Sequence, residues 1–400
     1  MARVLWINGG SEGHIQPTLG VVRELIGRGE EVVYFVSDSF RGLVESTGAK
    51  VITFGGQAFV EAFLAGGRSP WGRVSGLLRT ADIVIPGVLE QIQGERFDYM
   101  IHDSMFGCGR LLAQILKLPA ISSCTSFALG PEEFEQMQDQ LSSRFPAEVN
   151  EQAWQELLRL VNDLEAKYEV KAGSAYDIFC NPAPLTLVYT SRSLQPGGEL
   201  FDDTYKFVGP SITPRPHEPF ELSSIDTDHL IYISLGTVFN QALDFYKLCL
   251  SAFAGTNHTV ILSVGRQTQV AELGDLPANF IVRPYVPQLE VLQHAKLFIT
   301  HGGMNSTHEG LYYAVPMIVL PQSADQPAIA RRVAELGAGI HLNQDHLTAE
   351  ALRDAAEHVL GDAAIRRNSA KLGDSLRAAG GVERAADEIF TYKRSLRLNN

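Results

Sequence analysis

Residues 8–14 read Asn8-Gly9-Gly10-Ser11-Glu12-Gly13-His14, between an apolar segment and a stretch with helical spacing. The glycines permit a tight turn, which holds His14 at a helix start above the carboxyl end of the preceding strand. A helix dipole disfavours imidazolium there, so a neutral ring keeps its lone pair near neutral pH and can take a proton from a hydroxyl. An exposed helix-start histidine without chemistry is the competing reading. Asp103 comes directly after the apolar run 99–102, and parallel strands bring such ends together. A carboxylate on the far ring nitrogen would fix the tautomer and stabilise the imidazolium as it forms. His102 alternates to the opposite strand face and reads as structural.

A second constellation lies at residues 297–326. The apolar run 297–300 ends in His301-Gly302-Gly303, and a helix begins near Asn305. Glycines between strand and helix let backbone approach a ligand, and the helix N-terminus offers unpaired N–H groups to an anion. This is a phosphate seat, to which His301, Asn305 and Ser306 can add donors. Glu309 has two readings: with Ser306 it fits a capping box, or its carboxylate accepts from the vicinal hydroxyls of a ribose. Asp325 and Gln326 come after the apolar run 317–320 and suit the hydroxyls of a hexose, a helix N-cap being the competing reading of Asp325.

These residues need strands that end at one edge and helices that begin there. In the first half, apolar runs at 4–8, 31–36, 51–54, 99–102, 120–123 and 185–189 alternate with helical segments, the first helix starting near His14. That βαβ rhythm predicts a parallel sheet covered on both faces. The interval 131–171 reads as a helical insertion. Residues 209–219 carry four prolines, Pro210, Pro214, Pro216 and Pro219, which deny the chain helix or central strand. The alternation then resumes at 229–235, 258–264, 280–283, 297–300 and 317–320. The expected organisation is a first domain over 1–209, a linker over 210–220, a second domain over 221–381, and an amphipathic helix over 382–400 packing back on the first domain. A chain of 400 residues exceeds the roughly 250 to 300 at which one core stops growing. The fold class is α/β with two doubly wound parallel sheets, and ligands in such folds bind at the carboxyl ends of strands, here in an interdomain cleft.

With 45% apolar and 20% charged residues the composition is that of a globular protein. A formal net charge of -13 disfavours nucleic acid and anionic lipid as partners. No apolar run approaches the roughly 20 residues that span a bilayer. Four dispersed cysteines, Cys108, Cys124, Cys180 and Cys249, fit a reducing, cytoplasmic compartment.

The stretch 285–339, YVPQLEVLQHAKLFITHGGMNSTHEGLYYAVPMIVLPQSADQPAIARRVAELGAG, resembles the donor signature of family 1 glycosyltransferases, the UDP-glycosyltransferases of the GT-B fold. The likeness is greatest to their bacterial macrolide and flavonoid glucosyltransferase branch, and Asp103-Ser104-Met105-Phe106 matches that family's Asp motif. The resemblance implies a GT-B pair of Rossmann-like domains, acceptor-binding over 1–209 and nucleotide-sugar-binding over 221–381, and a His14–Asp103 dyad. It also implies that Val286 pairs with the base through its backbone and that Gln288 and Glu309 hold ribose. His301, Asn305 and Ser306, on the Gly303 turn, would then bind the pyrophosphate with Thr237, while Asp325 and Gln326 bind the sugar. Plant members carry Trp where this chain has Tyr285 and Met304. Enzymes that use dTDP-deoxysugars often lack the Asn-Ser and Asp-Gln pairs present here, which favours UDP-glucose. The UDP-sugar is then a co-substrate, with no cofactor and no metal expected.

Three rival readings come from other classes. Gly9-Gly10-Ser11-Glu12-Gly13 satisfies G-x-S-x-G, and Ser11, Asp103 and His301 occur in the order of an α/β-hydrolase triad, although that nucleophile belongs on a central strand preceded by several others. A non-catalytic nucleotide-sugar-binding protein would keep the phosphate seat yet gain nothing from His14. A metal enzyme is suggested by Asp226-Thr227-Asp228, which sits at the amino end of a strand, the wrong end for a ligand. For the acceptor, segments 57–73 and 127–145, rich in Phe, Leu, Ala and Gly, indicate an apolar hydroxylated small molecule.

Overall fold

The computed structural model describes residues 2–9, 11–54, 56–215, 219–222, 225–237 and 240–398. Two compact units result: Met1–Ser211 with Gly380–Asn400, and Ile212–Ala379. Of the expected linker 210–220, residues Pro216, His217 and Glu218 lie outside the described residues; Ser211 to Arg215 carry neither helix nor strand.

The first unit holds strands β1 (Arg3–Ile7), β2 (Glu31–Ser37), β3 (Lys50–Phe54), β4 (Tyr99–Asp103), β5 (Ala120–Cys124), β6 (Leu185–Val188) and β7 (Tyr205–Phe207). They form one sheet in the order β3-β2-β1-β4-β5-β6-β7, every pairing parallel. The strands read as continuous apolar runs because both faces are covered. In β1, Leu5 and Ile7 enter one core with Val33, Phe35 and Met100, while Val4 and Trp6 enter the other with Tyr34 and Ile101. The insertion forms helices Pro131–Ser142 and Ala147–Tyr168, whose Phe134, Leu157, Leu160 and Leu164 reach the first of these cores.

The last helix, Gly381–Ser395, belongs to this unit. Its Ala385, Ala386 and Ile389 join the second core, and Lys393 donates to Glu30 at 2.5 Å with both side chains buried.

The second unit holds β8 (Leu230–Ser234), β9 (Thr259–Ser263), β10 (Phe280–Arg283), β11 (Leu297–Thr300), β12 (Met317–Val319) and β13 (Gly339–His341). Their order is β10-β9-β8-β11-β12-β13, again parallel throughout. The three-residue edge strands β7 and β13 add to the strands expected from periodicity, being too short to show an alternation.

In each sheet the order reverses between two central neighbours, β1 with β4 and β8 with β11. Helices leave such a pair toward opposite faces, which opens a crevice at the carboxyl ends. No helix among the described residues is long and apolar enough to cross a membrane.

Candidate active site

At the first reversal, β1 runs into Asn8, whose backbone N–H donates to Phe35 O at 3.0 Å and whose side chain donates to His14 O at 3.2 Å. Gly10 lies outside the described residues. Exposed Ser11 is the N-cap of helix Glu12–Gly27, so His14 falls in its first turn. Asp103 is the last residue of β4 and stands opposite Ser123 of β5. Its Oδ2 lies 2.9 Å from His14 Nδ1, and its Oδ1 accepts the Met105 N–H at 2.8 Å. An ionised carboxylate only accepts, so Nδ1 carries the proton and Nε2 keeps its lone pair. The His14 side chain is 23% exposed and that of Asp103 2%, so the ring meets solvent while its orienting partner does not.

Thr125 Oγ1 lies 3.1 Å from the same Nδ1, a neighbour that the sequence motifs do not mark. Its signal is weak: a hydroxyl just beyond β5, at the same sheet edge as Asp103. The Asp103 carboxylate therefore pairs with His14, the histidine of its own unit. His102 is wholly buried with Nδ1 3.2 Å from Asp103 O, and burial pushes its pKa down to about 4, so it stays neutral.

At the second reversal, exposed Thr237 lies in the turn after β8, next to Gly236, which packs on the His301 ring. A Cβ on Gly236 (φ +76°) would come 2.6 Å from that ring, and one on Gly303 2.5 Å from its Nε2. Only glycine on both sides admits the imidazole. Burial pushes the His301 pKa down to about 4, so the ring is neutral at pH 7 and can present one N–H.

Gly303 caps helix Met304–Tyr312 with no side-chain hydrogen bond. The helix therefore begins ahead of Ser306, and the capping box between Ser306 and Glu309 does not form. Glu309 instead accepts from Gln288 Nε2 at 2.6 Å and from Arg215 Nη2. Gln288 opens helix Gln288–Leu292, takes a bond from Tyr232 OH at 3.0 Å, and reaches Ser306 Oγ at 3.4 Å. Five of the ten donor-side residues thus converge on the first turns of one helix: Gln288, Gly303, Asn305, Ser306 and Glu309. Val286 is buried just ahead of Gln288, beside exposed Tyr285. Arg215 and Tyr232 escape a reading of the sequence, since neither lies in the 285–339 stretch.

Asp325 occupies the N-cap position of helix Gln326–Glu335, yet its side chain makes no cap hydrogen bond. Gln326 is buried, and its Oε1 accepts from the Gln322 and Ser323 amides at 2.8 and 3.1 Å. The pair divides: Asp325 is exposed, whereas one end of Gln326 pins the loop after β12. Asp226, ahead of β8, accepts the Asp228 amide at 3.0 Å, closing a local turn.

Residues 247–384 match the family model described as Erythromycin biosynthesis protein CIII-like, C-terminal domain. The chain is 36% identical to the uncharacterized UDP-glucosyltransferase YojK of Bacillus subtilis, covering 98% of this chain and 97% of that protein. It is 34% identical to the NDP-glycosyltransferase YjiC of Bacillus licheniformis, over 96% of this chain and 95% of its relative. To the oleandomycin glycosyltransferase of Streptomyces antibioticus it is 30% identical, over 95% and 88%. Among solved structures it is similar to the calicheamicin glycosyltransferase CalG4, with a TM-score of 0.86 at 28% identity over 98% of both chains. The chain belongs to the family 1 glycosyltransferases of the GT-B fold, in their macrolide and flavonoid-like branch, and is a UDP-glycosyltransferase.

Proposed function

We propose that the enzyme moves glucose from UDP-glucose to a hydroxyl of an apolar small molecule, inverting the anomeric carbon, with His14 as general base and Asp103 as its partner. The observation that carries this reading is the 2.9 Å contact between a buried carboxylate and a partly exposed imidazole at a topological switch point. His14 Nε2 takes the acceptor proton, the acceptor oxygen bonds to C1, and the C1–O bond to UDP breaks. Asp103 stabilises the imidazolium formed.

The negative charge left on UDP is met by the N-terminus of helix Met304–Tyr312, by Asn305 and Ser306, and by a neutral His301, with Thr237 adding a contact. Gln288 and Glu309 take the ribose, Val286 the base, and Asp325 with Gln326 the hexose. No metal and no cofactor enters the scheme. An apolar acceptor is supported by the exposed Val60, Leu64 and Met105, the last adjoining the dyad through its bonded amide. One relative, the oleandomycin glycosyltransferase, is likewise named for a small-molecule acceptor. Four free thiols support a reducing, cytoplasmic setting.

The test is turnover of α-linked UDP-glucose with a panel of phenols and macrolides in EDTA, with the product linkage read by NMR. A β-glycoside is expected. An α-glycoside overturns direct displacement, and strict dependence on Mn²⁺ overturns the metal-free donor site. UDP should raise the melting temperature well above the effect of UMP, since the diphosphate fills the seat. Equal shifts with NAD count against the assignment.

A further inference from the structure

We infer that Arg215 is a positioning residue for the nucleotide, fixing the Glu309 carboxylate and offsetting its charge so that ribose and diphosphate can be held together. The inference rests on the ribose reading of Glu309 and adds a residue from outside the donor stretch.

Glu309 is 2% exposed, and a buried carboxylate is tolerated only when paired and hydrogen-bonded. Arg215 Nη2 bonds Oε1, while Gln288 Nε2 bonds Oε2 at 2.6 Å. Gln288 is in turn oriented by Tyr232 OH at 3.0 Å. Held from both sides, the carboxylate cannot rotate. Each oxygen has two acceptor sites, so one per oxygen remains for a vicinal diol. The guanidinium therefore need not leave when ribose arrives.

Charge gives the second reason. Glu309 lies in the helix whose N-terminus is the phosphate seat, so an uncompensated carboxylate would repel the incoming diphosphate. Arg215 neutralises it at source. Among the described residues the guanidinium Nε is buried and without a partner, which leaves one donor for a ligand oxygen.

The experiment is calorimetric titration of the full-length protein and its Arg215→Ala, Arg215→Gln and Arg215→Lys variants with UDP and with 2′,3′-dideoxy-UDP. Arg215→Ala should weaken UDP roughly 10-fold, the scale of one charged hydrogen bond. KM for UDP-glucose should rise by a similar factor with kcat nearly unchanged. Arg215→Lys, which keeps the charge, should recover part of the loss, and Arg215→Gln should not. With the dideoxy nucleotide the gap between variants should narrow. Should Arg215→Ala fail to fold, the Lys and Gln variants carry the same comparison. An Arg215→Ala variant that binds UDP as tightly as the unaltered protein overturns the proposal alone. Equal losses for both nucleotides do the same. Failure of the unaltered protein to bind UDP overturns the donor reading itself.

Discussion

Asp103 Oδ2 stands 2.9 Å from His14 Nδ1 although the two residues are 89 positions apart in the chain. They meet because β1 and β4 are hydrogen-bonded neighbours, with Ile7 opposite His102. One residue past the first partner begins the loop into helix Glu12–Gly27, and one past the second is Asp103. The dyad is thus a property of strand order.

His14→Ala should lower turnover by about 10² to 10⁴-fold, the usual worth of a general base. UDP binding should persist, since its proposed residues lie in the other unit. Asp103→Asn should cost less with phenols, whose hydroxyls deprotonate more readily, than with aliphatic alcohols. Initial rates on both acceptor types decide this, and unchanged turnover of His14→Ala on an alcohol would sink the dyad.

Asp325→Ala and Gln326→Ala should behave differently. Gln326 Oε1 holds two loop amides, so its loss should lower both the melting temperature and sugar transfer. Loss of the exposed Asp325 side chain, whose proposed partners are sugar hydroxyls, should reduce transfer from UDP-glucose while leaving UDP affinity near wild type. Identical behaviour of the two variants would contradict this division.

Lys393→Met should destabilise the first unit by about 3 to 5 kcal/mol, because it leaves Glu30 buried and uncompensated. Tyr99 OH, bonded to the other Glu30 oxygen at 3.1 Å, cannot replace a charge. The double variant Glu30→Gln with Lys393→Met should recover much of the loss. Trp6, Trp71 and Trp154 all lie in the first unit, so tryptophan fluorescence in a urea titration reports on it selectively.

His102 should make the same unit acid-sensitive. Its folded pKa is pushed down to about 4 by burial, against 6.5 ordinarily. Above pH 6.5 both states are neutral and the full stability is present. As pH falls from 6.5 toward 4 the unfolded chain takes up a proton that the folded chain refuses, and stability drops by on the order of 3 kcal/mol. In urea titrations between pH 7 and 5, His102→Gln should flatten that decline; a slope equal to wild type would show that other groups carry it.

Most strands and the residues at their ends are legible in the sequence because both are local. A buried parallel strand announces itself as an apolar run, and the carboxyl edge where it ends is the place for chemistry, which is why His14, Asp103, His301 and Glu309 stand out. Edge strands β7 and β13 are not legible, since three residues carry no period. Ser306-Thr307-His308-Glu309 spells a capping box, but the helix begins at Met304, and Glu309 turns to Gln288 and Arg215.

The sequence by itself determined which elements exist and which reactive side chains stand at their ends, because hydrophobic period and glycine turns act over a few neighbouring residues. Only the tertiary structure decided that β1 lies beside β4 and β8 beside β11, and with that order which ends meet. It also decided that Thr125 joins the dyad, that Arg215 reaches Glu309, and that Lys393 finds Glu30 across 363 positions. Each of these is a polar contact whose partner is chosen by the packing of whole sheets and helices. No local pattern encodes that choice, because an isolated Thr, Arg or Lys has the same propensities wherever its partner lies.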